Sequence, residues 1–338
     1  MMLTTPDAVK DVPVPWSGDE RPVLAIDVGA TWTRAAVVDH AARLFGRRAQ
    51  RTPFDGGQRE LGEAVAGLAE LALTAARAEG APAPAAVGVA AIGPLDARRG
   101  TLLGPPNVGA GYRGLDLADP LARLGLPLFL ERDTNVAALG EHAFGAARET
   151  DDFVYLTVST GLGGAIMAGG RLLFGATGVA GELGHLPVTL DGAVCGCGGI
   201  GHLEAYSSGT GIARAGREAG LGGADPEALT AADVAGAARA GDARAAAVMD
   251  RARRAFAAAL VGIVNAFNPA LIVVGGGVAR GEGEDLLAPA RQAIADQALG
   301  PAAAAVRVCP AALGDDVGLI GCLPLVGGGG RPVAREVS

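Results

Sequence analysis

The sequence predicts an α/β protein built from two related halves, and three observations carry that expectation. Apolar, β-branched segments alternate with segments of helical periodicity along the whole chain. A strand, glycine turn, strand pattern at 22–39 ("PVLAIDVGATWTRAAVVD") returns at 152–173 ("DFVYLTVSTGLGGAIMAGGRLL"), about 130 residues later. Glycines also punctuate the strand ends, where α/β sheets place their ligands.

Taken in order, residues 1–21 read as a flexible leader without the apolar core of a signal peptide. The 22–39 hairpin turns at Gly-Ala-Thr. The spacing of apolar residues predicts a helix over 59–80 that stops at Gly80. Residues 85–96 read as a buried strand ended by Gly93-Pro94. "LPLFLERDTNVAALGEHAFGAA" (126–147) reads as a strand running into a helix, with its polar residues gathered at the junction. After the second hairpin, 244–267 is a long helix capped by Asn268-Pro269. Residues 270–279 form a strand that ends in three glycines, and 315–326 a short helix.

Bulk properties narrow the function. The chain has 338 residues, 50% hydrophobic and 19% charged, with net charge −8. That length suits two domains rather than one. The acidic balance argues against nucleic acid or an anionic membrane as a partner, and the scarcity of aromatics argues against base-stacking platforms. No uninterrupted apolar run of about 18 residues predicts a membrane span. Four cysteines in a chain this long suggest no disulfide framework, and the expected setting is the cytoplasm. Lys10 is the only lysine, so phosphate chemistry here must use backbone amides, arginine, hydroxyls and metal.

Four constellations could carry chemistry. Asp27, Gly29 and Thr31 put a carboxylate and a glycine turn at a strand end, which suits a metal-bound phosphate; an Asp in an ordinary hairpin turn fits as well. Ser159, Thr160, Gly161, Gly163 and Gly164 form a second such turn, and Gly275, Gly276 and Gly277 would let a nucleotide approach backbone closely, or simply make a tight turn. Asp133, between strand and helix, could accept a proton from a hydroxyl or cap the helix. His185, Cys195, Cys197 and His202 match the donor types of a closed tetrahedral zinc site; a Cys195–Cys197 redox pair would be strained. His40 and His142 have no such company and read as surface residues.

Together these segments resemble the ROK family of bacterial sugar kinases and related repressors. The resemblance runs from about residue 22 to 326 through "DVGATWTRAAVVD", "AIGPLD", "GPPN", "ERDTNVAALGE", "STGLGGAIMAGGRLLFGATGVAGELGH", "CGCGGIGHLE" and "NPALIVVGGGV". It implies an actin/hexokinase-like (ribonuclease H-like) α/β fold with two domains around a cleft: residues 22–134 plus a C-terminal helix at 313–330 in the smaller, and 135–312 with the zinc loop in the larger. It implies transfer of the γ-phosphate of ATP, with Mg²⁺, to a hexose, glucose at its 6-hydroxyl leading over N-acetylhexosamines, mannose, fructose and amino-hexoses. Polyphosphate is an alternative donor. Asp133 would be the base. Asn107, Arg132, Glu182, His185 and Glu204 would meet the sugar. Asp27, Gly29, Thr31, Thr160, Gly161 and Gly275 to Gly277 would meet nucleotide or phosphate. His185, Cys195 and Cys197 match zinc ligands. Family members are often dimers or tetramers, which makes a homo-oligomer the expectation.

Two positions depart from the family pattern. His202 stands where a third cysteine is usual, and imidazole can replace thiolate on zinc. Arg132 stands where an asparagine is common, and could salt-bridge outward or alter hydroxyl preference. The family also contains sugar-responsive repressors, but the leader is short and not basic for a helix-turn-helix. A sugar-binding regulator without kinase activity is the remaining alternative.

Overall fold

The computed structural model describes residues 21–54, 56–104, 110–328 and 333. The described residues open with three consecutive strands, β1 (Val23–Val28), β2 (Trp32–Val38) and β3 (Leu44–Arg51), followed by helix α1 (Gly57–Ala78). Next come β4 (Ala86–Ala91), a small pair β5 (Leu95–Asp96) and β6 (Thr101–Leu102), α2 (Ala118–Leu121), β7 (Leu128–Arg132) and α3 (Asp133–Phe144). The second succession is β8 (Phe153–Val158), β9 (Leu162–Ala168), β10 (Arg171–Leu172), α4 (Glu204–Ser207), α5 (Gly209–Glu218), α6 (Ala231–Arg239) and the long α7 (Ala243–Phe267). It ends with β11 (Leu271–Gly275), α8 (Gly277–Glu282), α9 (Glu284–Gln297), α10 (Gly300–Ala305), β12 (Arg307–Pro310) and α11 (Val317–Gly327).

Two five-stranded sheets result, ordered β3-β2-β1-β4-β7 and β10-β9-β8-β11-β12. Each places three consecutive strands beside two parallel ones reached through helices: β1–β4–β7 in the first, β8–β11–β12 in the second. This is an α/β fold of two units. One unit holds the residues up to Asp151, Ile166–Gly181 and those from Asp315 onward; the other holds Asp152–Ala165 and Glu182–Gly314.

In the first unit α1 lays Leu61, Val65, Leu68, Ala69, Ala72 and Ala76 on the sheet, a stripe at helical spacing that meets Leu24, Ile26 and Val37. Helix α11 packs on β1, β4 and α3, close enough that a Cβ at Gly88 would lie 2.7 Å from the Cβ of Cys322. His142, expected at the surface, is largely covered: 12% of its side chain is exposed and Nε2 lies 3.1 Å from Asp151 Oδ1. The chain after α3 doubles back, with the N–H groups of Ala146 and Ala147 bonded to Glu141.

In the second unit β11 is buried at every residue, and α7 packs against α9, α6, α4 and α5. Helix α7 is capped at its start by Asp242 and ends at Asn268, which takes a left-handed conformation with φ 45°. Helix α6 begins with a capping box between Thr230 and Asp233. Among the described residues no helix is long and apolar enough to cross a membrane.

Candidate active site

The parallel strands of the first unit bring several predicted site residues to their carboxyl ends. Asp27 lies near the end of β1, opposite Arg34 on β2, and the two pair at 3.2 Å. Burial outweighs that partner and raises the Asp27 carboxyl from 3.8 to about 6. The turn that follows carries Gly29 and Thr31; Gly29 N–H closes it onto the Trp32 carbonyl at 3.0 Å, and the Thr31 carbonyl accepts from Thr52 N–H.

β7 delivers Glu131, Arg132 and Asp133. Glu131 is buried, its Oε1 accepting from Arg132 N–H at 2.8 Å and from Asn135 Nδ2 at 3.0 Å. Burial raises its pKa, against the pull of those bonds. Asp133 is the first residue of α3, half-buried, with Oδ1 accepting from Thr134 N–H at 2.7 Å. Arg132 turns inward rather than toward solvent, unlike the first of its two readings, an outward salt bridge or an altered hydroxyl preference. It is 4% exposed, and Nη2 donates to Asn135 Oδ1 at 3.1 Å and to the Ala180 carbonyl at 2.6 Å. Its stem lies across Gly93, where a Cβ would come within 2.7 Å of it. Asn107 lies outside the described residues.

In the second unit the turn between β8 and β9 holds Ser159, Thr160 and Gly161. It is locked onto the start of α5: Gly209 N–H donates to the Ser159 carbonyl at 2.7 Å and Thr210 N–H to the Thr160 carbonyl at 3.1 Å. The Ser208 hydroxyl takes Gly211 N–H. Beside this turn, β11 ends at Gly275 and Gly276 swings the chain into α8 with φ 95°; a Cβ there would lie 2.4 Å from the Val158 carbonyl oxygen, so only glycine fits. Thr160, Thr210 and Gly277 line one cavity of about 530 Å³, whose remaining wall is mostly apolar. That size and lining suit a small organic ligand.

The same unit carries the metal-type cluster. One donor atom from each of His185, Cys195, Cys197 and His202 falls within 4.8 Å of all the others. Cys195 Sγ is 3.7 Å from His185 Nδ1, and Cys197 Sγ is 3.2 Å from His202 Nδ1. A tetrahedral ion with legs of about 2.3 Å to sulfur and about 2.0 Å to nitrogen needs a sulfur–nitrogen edge of about 3.5 Å. The donor set therefore fits a metal ion in both type and spacing. With Nδ1 turned to the cluster, His185 presents Nε2 toward Glu182 Oε2, 3.9 Å away. Without a metal, burial pushes the Cys195 thiol up to about 11.

Two groups brace this loop. Glu204, 5% exposed, sets Oε1 3.6 Å from Cys195 Sγ while Oε2 accepts from Leu162 N–H at 2.9 Å. It thus joins the cluster to the Thr160 turn. Tyr206 Oη accepts from Ala193 N–H at 2.8 Å and meets Thr189 Oγ1 at 3.1 Å; Arg251 lies 4.8 Å over its ring. Burial works against ionising the phenol, but these bonds and Arg251 more than offset it and lower its pKa.

A family model, the ROK family, matches residues 23–328. The chain belongs to the ROK family. Glucokinase from Thermotoga maritima is 33% identical over 90% of this chain and 96% of its own length. A ROK family glucokinase from Streptomyces griseus, crystallised with glucose and AMPPNP, is 34% identical with TM-score 0.76, covering 90% of this chain and 98% of that one. A ROK hexokinase from Thermus thermophilus is 37% identical with TM-score 0.72, covering 90% and 97%. The two-unit α/β architecture is the ROK sugar kinase fold.

Several residues of this ROK chain that shape the site escape the motif reading. Thr210 follows the glutamate motif in "SSGTG", where the hydroxyls signal only a helix start. Tyr206 sits in a short helix without periodicity. Arg217 stands among other polar residues near the end of α5, and only packing shows that it borders the cavity.

Proposed function

We propose that this ROK protein is an ATP-dependent glucose kinase that phosphorylates the 6-hydroxyl. The observation that carries this reading is the likeness, over 90% of this chain and 98% of the other, to a ROK glucokinase crystallised with glucose and AMPPNP. The positions of the chemistry-bearing residues are consistent with it. Asp133 opens a helix at the carboxyl end of a parallel strand, where ligands of α/β sheets collect, and it takes the proton of the attacking hydroxyl. Glu182, His185 and Glu204 hold the sugar, with Asn107 as a further contact. Asp27, Thr31, Thr160, Gly161 and Gly275 to Gly277 hold nucleotide and phosphate. Mg²⁺ bound with the nucleotide supplies charge neutralisation for phosphoryl transfer.

His185, Cys195, Cys197 and His202 hold zinc, which is structural because four protein donors leave no open position. Binding through Nδ1 fixes the His185 tautomer and leaves Nε2–H to donate, toward Glu182 or a sugar hydroxyl. Glu204, tied to Cys195 on one side and to the Thr160 turn on the other, is rigid for the same reason. Arg132, enclosed by Gly93, Asn135 and Ala180, acts by holding the strand-to-helix junction that presents Asp133. The protein works in the cytoplasm as a homo-oligomer.

The test is coupled ADP release with glucose, mannose, fructose, N-acetylglucosamine, N-acetylmannosamine and glucosamine, with ATP as donor, in the wild type and in Asp133→Asn. Glucose is expected to have the highest kcat/KM, and the variant to lose at least about 100-fold in kcat, the scale of a general base. No ADP release with any hexose rules out the kinase; a near-normal kcat in the variant rules out Asp133 as the base.

A further inference from the structure

Arg34, Arg47 and Arg51 share the face of the first sheet that carries Asp27. Arg34 stands opposite Asp27 across β1 and β2, and Trp32, two residues earlier on β2, projects from the same face. Trp32 in turn stands opposite Arg51 across β2 and β3. Arg47 reaches Asp316, just before α11, at 2.8 Å. Helix α11 lies on that face, since a Cβ on Gly318 would come within 2.8 Å of the Asp27 carboxyl carbon.

These guanidiniums are in different states. Arg34 is held by Asp27 at 3.2 Å, and Arg47 by Asp316. Arg51 has no carboxylate at ion-pair distance among the described residues; its guanidinium carbon lies 4.9 Å over the ring of Trp32 instead. The indole is 40% exposed, although a tryptophan ring is normally well covered. The ring attracts the cation through its quadrupole without neutralising it. Arg51 is itself exposed, so its N–H donors can meet a ligand that brings acceptors.

The backbone under this stack is fixed to the glycine turn. Thr52 N–H donates to the Thr31 carbonyl at 3.1 Å, and the Thr52 hydroxyl donates to the Gly29 carbonyl at 2.8 Å. That hydroxyl also meets Thr33 Oγ1 at 3.0 Å. Although β3 is an edge strand, its end is therefore tied to residues 29–31, and Arg51 with it. Lys10 is the only lysine of the chain, so a phosphate at this turn must find its side-chain cation on arginine.

We propose that Arg51 is a further catalytic residue: mounted on the indole of Trp32 beside the glycine turn, it donates to the phosphoryl group in transfer. This role rests on the kinase reading above, and supplies a side-chain cation which that reading lacks. In the step, the bond from the terminal phosphorus to the bridging oxygen of ATP breaks, and ADP keeps that oxygen. A bond from the phosphorus to the sugar 6-oxygen forms, and the hydroxyl proton passes to Asp133. Arg51 stays protonated throughout and meets the charge that spreads over the equatorial phosphoryl oxygens. Its planar fork matches a pair of such oxygens. Trp32 is a positioning residue: the stack removes in advance rotamer freedom that Arg51 would otherwise lose on binding.

The test compares wild type with Arg51→Ala, Arg51→Lys, Trp32→Ala, Trp32→Phe and the double variant Arg51→Ala/Trp32→Ala. Read-outs are kcat, KM for ATP and glucose, binding of AMPPNP and of ADP by calorimetry, and the melting temperature. Arg51→Ala is expected to lower kcat about 100-fold, the scale of one preorganised donor to developing charge, with KM for glucose within about twofold. It should weaken AMPPNP about tenfold, the scale of one charge-assisted hydrogen bond, and ADP by less than about twofold. Arg51→Lys keeps the charge without the fork and falls between. Trp32→Ala should lower kcat about tenfold with Arg51 in place, and Trp32→Phe, which keeps a ring face, should recover most of that loss. The double variant should match Arg51→Ala, because Trp32 acts through Arg51. Both side chains are exposed, so every variant should melt within about 2 °C of wild type.

A kcat for Arg51→Ala within about threefold of wild type overturns the proposal. An equal loss of AMPPNP and ADP affinity does so too, since it would put Arg51 on the inner phosphates or the base. A double variant about tenfold slower than Arg51→Ala overturns the positioning role of Trp32. If wild type binds AMPPNP but releases no ADP with any hexose, the kinase reading fails, and the two calorimetric comparisons still decide whether Arg51 meets the terminal phosphate.

Discussion

Asp27 carries a cost whenever it is ionised. Its carboxyl sits at about 6 rather than 3.8 because burial opposes the charge and Arg34 only partly offsets it. The folded protein therefore favours the neutral acid. Above the folded value the ionised carboxylate destabilises the free protein by about 3 kcal/mol, and this penalty fades as pH falls from about 6 toward the ordinary carboxylate range. A charge kept at such expense suits a group that meets a metal-bound phosphate. Asp27→Asn is expected to raise the melting temperature at pH 7.5 by at least about 2 °C, to show a smaller gain at pH 5, and to lose most activity. Thermal scans at the two pH values with one activity assay check it; a lowered melting temperature at pH 7.5 contradicts it. Asp27 and Asp133 were legible in the chain, since a carboxylate closing an apolar segment needs only local sequence to be seen. The inward course of Arg132 was not, because its acceptor at Ala180 lies 48 residues away and its groove at Gly93 belongs to another strand end.

The 186–203 loop carries three of the four candidate metal donors, Cys195, Cys197 and His202, and protein contacts order it. Isolated bridges join Pro187 to His202 and Val194 to Ile200, and Cys195 N–H donates to the Gly199 carbonyl at 2.7 Å. Glycine at 192 makes room for Tyr206 Oη, which a Cβ there would meet at 2.0 Å. Tyr206→Phe removes the acceptor of Ala193 N–H, and such outer partners are worth about 10- to 100-fold in metal affinity. The variant is expected to yield its metal to a chromogenic chelator at least about tenfold faster than wild type, and to show a raised KM for glucose with ATP binding unchanged. Equal release rates would show that the phenol does not brace the loop. The donor set itself was readable from sequence, because four soft or borderline ligands between 185 and 202 are an unusual local concentration. Its brace was not, since a tyrosine in a one-turn helix has no periodic signature.

At the scale of the molecule, chain-distant segments complete the first unit. α11 comes from near the end of the chain, yet packs on β1, β4 and α3. Its crossing with α3 is made backbone to backbone: a Cβ at Gly321 would lie 2.0 Å from the Val136 carbonyl oxygen. Gly321→Val must push the helices apart, an overpacking cost of about 3 kcal/mol. Gly262→Ala, in open space on α7, should instead stabilise by about 0.5–1 kcal/mol. Chemical denaturation of the two variants checks the pair, and equal stability of Gly321→Val and wild type would refute the close crossing. The linear chain by itself determined the α/β class, the two glycine hairpins, the carboxylates at strand ends and the metal-donor set, because each is written in neighbouring residues as periodicity, turn chemistry or spacing. Tertiary structure alone decided that Glu204 links the metal cluster to the Thr160 turn, that Arg132 turns inward, and that Arg217 borders an apolar cavity without a carboxylate partner among the described residues. Those outcomes depend on which distant side chains packing brings within a few ångströms, and no local pattern encodes such distances.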